Sequence, residues 1–74
     1  MARLPGEVRQ RDFLNALRRL GVRRISGDSP HATLLNPTTG GTTTVGLHYP
    51  VPRRHLRAAL RDLGISEAEF LDAL

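Results

Sequence analysis

Cysteine, lysine and tryptophan are all missing from these 74 residues, and only Phe13, Tyr49 and Phe70 are aromatic. Without cysteine there is neither a disulfide framework nor a thiolate zinc site. Histidine does not replace it, because His31, His48 and His55 fall in different segments without the close pairing of zinc motifs. No metal or cofactor is therefore expected. Three aromatics are too few for a base-stacking platform of the kind single-strand binders use, and two of them fall on buried positions of the pattern. No glycine-rich phosphate loop is present, and Asn36-Pro37-Thr38 has proline where a glycosylation acceptor forbids it. No apolar run approaches the ~18 residues of a membrane span, and no apolar stretch follows Arg3 as in a secretory signal. These features point to the cytoplasm. The length allows one domain, residues 1–74, with a thin core; a chain this short buries only roughly 60% of its unfolded surface.

What the chain does have is arginine. Residues 1 to 61 carry all 11 arginines against Glu7, Asp12 and Asp28, a balance of +8. Residues 62 to 74 carry Asp62, Glu67, Glu69 and Asp72 and nothing basic, a balance of −4. A basic body with an acidic tail suggests a polyanion partner for the body, RNA being favoured, and a separate role for the tail.

Apolar periodicity predicts a helix from Val8 to Leu20, with Phe13, Ala16, Leu17 and Leu20 on one face and Gly21 at its end. Three short strands follow. Val22 to Ser26 is the first, and the turn formers Gly27-Asp28-Ser29-Pro30 close it. His31 to Asn36 alternates, Ala32 and Leu34 against His31, Thr33 and Leu35. After the turn at Pro37 to Gly41, Thr42 to His48 alternates again, with Val45 and Leu47 on the core side. Tyr49-Pro50-Val51-Pro52 is expected to be extended, each proline restricting its predecessor. A second helix then carries Leu56, Ala59, Leu60 and Leu63 on one stripe and Arg54, Arg57 and Arg61 on another, up to Gly64. Ser66 and Glu69 have capping-box spacing with Ile65 and Phe70 at the staple positions, so a short acidic helix runs from Glu67 to about Leu74. The fold class is α+β: a three-stranded antiparallel meander with both main helices on one face, the other face open.

The same parity puts His31 and His48 on that open face, near arginines. Metal-free RNA cleavage needs a base for the 2′-hydroxyl proton, and an ordinary imidazole titrates near pH ~6.5. Arginine stabilises charge building on the phosphate oxygens. Periodicity alone fits two ordinary surface histidines as well. Asp28, Ser29 and His31 do not suggest a hydrolase triad, since four consecutive turn residues rarely deliver that geometry; Ser29 suits capping the turn or bonding a phosphate. Arg53 and Arg54, at a helix start, have the placement of phosphate contacts. Arg23, Arg24 and Arg57 are further candidates, although the arginines of the second helix also fit a solvated face laced with Asp62.

In their order and spacing, several of these segments resemble the HicA-type toxins, small ribonucleases of bacterial toxin–antitoxin pairs. Arg18-Arg19-Leu20-Gly21 is similar to the family's first helix end. Gly27-Asp28-Ser29-Pro30-His31 is similar to its glycine-serine-histidine turn, with Asp28 and Pro30 interposed. Thr43-Thr44-Val45 up to His48, Leu56-Arg57-Ala58-Ala59-Leu60, Gly64-Ile65-Ser66 and Glu69-Phe70-Leu71 match the remaining pattern, from Leu4 to Leu74 in all. The family's lysine before the second helix is absent, and Arg54-His55 stands where glycine-threonine is usual. The resemblance implies an α-β-β-β-α fold like the double-stranded-RNA-binding domain. It also implies a type II toxin acting as a metal-independent mRNA endoribonuclease (an mRNA interferase), with His31 as catalytic base and His48 as a possible helper. Its partner would be a HicB-type antitoxin that also binds promoter DNA. The alternative is a non-catalytic RNA-binding module of the same fold.

Overall fold

In the computed structural model, which describes residues 3–26, 31–46 and 50–74, the elements are β1 (Glu7–Val8), α1 (Gln10–Arg19), β2 (Arg23–Ser26), β3 (His31–Leu35), β4 (Thr42–Gly46), β5 (Val51–Pro52), α2 (Arg53–Leu63) and α3 (Glu67–Ala73). The chain is α+β. Strands β2, β3 and β4 form an antiparallel sheet in sequence order, and β1 pairs with β5 in a second, two-stranded sheet. Among the described residues no helix is long and apolar enough to cross a membrane.

Alternation along β3 decides which face of the sheet is covered. Ala32 and Leu34 are buried, and Val45, paired with Ala32, is buried beside them. That face packs against the helical stripes expected from the sequence: Phe13, Ala16 and Leu17 of α1, and Leu56, Ala59, Leu60 and Leu63 of α2. Each large side chain so buried contributes about 1.5–3 kcal/mol. The opposite face carries His31, Thr33 and Leu35 against Gly46, Thr44 and Thr42, and is left to solvent or partners. A hydroxyl pair, Thr33 and Thr44 at 3.3 Å, crosses it.

Both main helices end the same way. A glycine with positive φ (Gly21 at +89°, Gly64 at +69°) turns the chain. The glycine's own amide and the one after it then donate back to the last turns: Gly21 to Arg18 and Val22 to Leu17, Gly64 to Arg61 and Ile65 to Leu60. The third helix starts on the expected capping box. The Glu69 amide donates to Ser66 Oγ at 3.1 Å, and the Ser66 amide donates to Glu69 Oε1 at 3.0 Å. The Ser66 backbone amide first, and then the Ser66 hydroxyl, hold the Glu69 carboxyl below its ordinary value. Phe70 is fully buried, its ring centroid 5.9 Å from that of Phe13, which docks α3 on α1. Arg19 Nη1 fastens the same contact by donating to the Ala73 carbonyl at 2.6 Å.

Two features correct the sequence reading. The first helix begins at Gln10, not Val8. Val8 instead lies in an extended pair opposite Val51, buried there, and Glu7 opposes Pro52. Burying a β-branched side chain against another outweighs two more helical residues with no side-chain cap at Arg9. In addition, β2 carries a bulge, for Arg24 opposes Leu34 but Ser26 opposes Thr33. The extra residue leaves Ile25 about half exposed (51%) at the sheet edge, unlike buried Val22.

The turn between β3 and β4 is tied to the end of α2. Asn36 is buried, and its Nδ2 donates to the Leu63 carbonyl at 2.8 Å; Thr39 Oγ1 donates to the same oxygen at 2.8 Å. Gly41 passes so close to the Asp62 carbonyl that any Cβ would overlap it. These contacts fix where α2 lies along β4.

Candidate nucleic-acid interface

His31 opens β3 and is exposed. Its cross-strand partner is Gly46, which has no side chain to cover the imidazole, and nothing stands within 4 Å of where a Cβ at Gly46 would be. The ring borders a cleft of about 550 Å³ between the β4 edge of the sheet and the first half of α2. Val45, Val51 and Ala59, all buried, form its base. Helix α2 borders it with His55 and Ala58, and Pro50, just before β5, lines it as well. The cleft is of the size ordinary for small-ligand sites. Of the described residues lining it, only His31 and His55 titrate, and none is acidic.

Helix α2 meets this cleft with its N-terminal end. Pro52 stands at the N-cap and provides no side-chain bond to the first turn, and that turn contains no acidic residue. The positive end of the helix dipole and His55 therefore meet at this end of the cleft, and exposed Arg54, which does not line the cleft, precedes His55 in the same turn. A phosphate there gains from the helix end, and from an imidazolium where His55 is protonated.

The other arginines divide by what they touch. Arg53 is half-buried, and its Nε donates to the carbonyls of Leu4 at 3.0 Å and Pro5 at 3.3 Å, while its amide donates to Gly6. Much of this guanidinium is spent on anchoring the N-terminal segment, a role the sequence did not reveal. Arg54 is exposed. Arg57 is exposed and pairs with Glu67 at 3.4 Å, an exposed contact worth at most about 1 kcal/mol. Arg23 opposes Leu35, which places it on the open sheet face with His31. Arg24 opposes Leu34 and borders a smaller cleft of about 160 Å³ with Arg18 and Leu14, on the helix-covered side. Arg23 and Arg24 thus serve different faces. His48 and Ser29, together with Asp28 and Pro30, lie outside the described residues.

His55 is the residue that sequence reasoning missed. Its place in the first helical turn was legible from the prolines before it. Its sharing of a cleft with His31, from which it is separated by β4, depends on how α2 lies along that strand. Both the Thr33–Thr44 hydroxyl pair and Arg23 extend the polar surface across the open face. Among the described residues, no three His, Asp or Glu side chains converge as a metal site. In comparison with known proteins, the chain matches no family model and no curated protein.

Proposed function

We propose that this chain is a metal-independent endoribonuclease with His31 as general base, acting as the mRNA-cleaving toxin of a type II toxin–antitoxin pair. The observation that carries the reading is the placement of His31. It is exposed on a cleft whose described lining carries no acid, beside the arginine-bearing start of α2. The base takes the 2′-hydroxyl proton while the 2′-oxygen attacks phosphorus, and Arg54 with the helix end stabilises the charge on the phosphate oxygens. Arg23, on the same sheet face as His31, extends the basic track for the strand. Arg57 is a secondary phosphate contact that reaches RNA by exchanging its exposed carboxylate partner, whereas Arg53 acts on the N-terminal segment and Arg24 lies towards the helix-covered side. His48 and Ser29 keep the roles of helper and phosphate contact that the family resemblance gives them.

The three-stranded sheet with helices on one face supports the double-stranded-RNA-binding-domain-like arrangement of that family. Its partner on this reading is an acidic HicB-type antitoxin, drawn to the basic face by charge complementarity and covering the cleft; promoter DNA is reached only through it. The test is induced expression of the parent and of His31→Ala at matched levels, following growth and mRNA integrity. Arrest with mRNA loss for the parent alone supports the reading. Salt-dependent RNA binding by the parent with no cleavage products would make the chain a non-catalytic RNA-binding module instead.

A further inference from the structure

We infer that His55 is the general acid of this site, the proton donor to the leaving 5′-oxygen, opposite His31 as base. The inference rests on the nuclease reading above and adds a second catalytic residue to it. Cleaving RNA without metal needs two proton transfers. The 2′-hydroxyl loses its proton as its oxygen bonds to phosphorus, and the 5′-oxygen must gain one as its bond to phosphorus breaks. The products are a 2′,3′-cyclic phosphate and a 5′-hydroxyl, so protons and charge balance if one group accepts and the other donates. Attacking and leaving oxygens lie on opposite sides of the phosphorus, so the two groups must stand on opposite sides of the scissile phosphate.

The cleft has an imidazole on each of two walls. His31 borders it from the sheet and His55 from α2. The cleft's other described lining residues are threonine, valine, glycine, proline and alanine, none of which exchanges a proton near neutrality. Arg54 stays charged at all working pH and stabilises charge without giving up its proton. The chain has no lysine, and its carboxyl groups are absent from the described lining. An imidazole is the side chain whose ordinary range allows either role near neutrality. His55 is exposed and in the first turn of α2, where a bound phosphate also meets the helix dipole. With His31 already assigned to the 2′ side, His55 is the described residue left to protonate the 5′ side.

The test compares two versions of one RNA that the parent cuts at a mapped linkage. One is ordinary RNA; the other carries a 5′-bridging sulfur at that linkage, so that a thiolate departs without needing a proton. The proposal expects His55→Ala to lose about 10²–10⁴-fold on ordinary RNA and to cut the sulfur-bridged RNA at close to the parent's rate. It expects His31→Ala to lose activity on both. Equal loss by His55→Ala on both substrates would overturn the acid role, as would full activity on ordinary RNA. If the parent itself cuts neither RNA, the nuclease reading fails and takes this inference with it.

Discussion

The Leu63 carbonyl, at the end of α2, receives two hydrogen bonds from the β3–β4 turn, and removing them one at a time should differ from removing both. Asn36→Ala deletes the 2.8 Å bond from Nδ2 and the 3.1 Å acceptance from the Thr38 amide. Thr38 is exposed, so its amide turns to water, while Leu63 keeps the Thr39 hydroxyl. With net values of about 0.5–1.5 kcal/mol per hydrogen bond and a small void at a 5% exposed site, the loss should be about 1–3 kcal/mol. Thr39→Val keeps the shape, leaves Asn36 on the carbonyl, and forfeits the hydroxyl's bonds with Leu63 and the Gly41 amide, about 1–2 kcal/mol. In the double variant the carbonyl has neither donor, and its desolvation is uncompensated. The total should exceed the sum of the single losses by about 1 kcal/mol. Equilibrium urea unfolding of the four proteins, read by circular dichroism, measures this cycle. Against a total stability of about 4–11 kcal/mol for a chain of this size, each single variant remains measurable, and a stabilising osmolyte added equally to all four proteins keeps the double variant folded. Additivity within about 0.3 kcal/mol would refute the account of one shared acceptor holding α2 to the turn.

Three further outcomes follow from particular contacts. Gly41→Ala, whose new carbon would collide with the Asp62 backbone oxygen, should destabilise by about 2 kcal/mol or more in the same urea assay. The Glu69 carboxyl is held below its ordinary 4.5 by its bonds to Ser66, so its stabilisation is fully present above that value and lost as pH falls through the lower folded-state value. Glu69→Gln should therefore lower the urea midpoint near neutrality, and the difference should shrink and be lost as pH falls through the carboxyl's lowered folded-state value; a constant difference would contradict the capping box. Arg54→Ala should weaken RNA binding and reduce the slope of log affinity against log salt by about 0.7, the share of one single-strand phosphate, in fluorescence anisotropy titrations.

Much of the scaffold was readable because it follows from local periodicity. Phe13, Ala16 and Leu17 form a helical stripe, and Ala32, Leu34 and Val45 alternate as a strand face does. Ser66 and Glu69 announce their helix by a local bond pattern. The β1–β5 pair was not readable, since two residues a side carry no period and their pairing is long-range. The same limit applies to the site. Exposure of His31 on the uncovered face follows from its alternation with Ala32 and Leu34. Arg53 looks identical in sequence to Arg54, yet one anchors the Leu4–Gly6 backbone and the other is exposed. His55 becomes a neighbour of the same cleft as His31 only once Gly41, Asn36 and Thr39 have set α2 against β4.

The central claim is that His31 makes this basic surface cut RNA without metal. Purified parent and His31→Ala proteins, incubated with a labelled mRNA in excess chelator, test it most directly. The account predicts fragments ending in 2′,3′-cyclic phosphate from the parent, and a rate about 10²–10⁴-fold lower for the variant. Equal cleavage by both proteins would contradict His31 as the base, and intact RNA bound by both would contradict the nuclease itself.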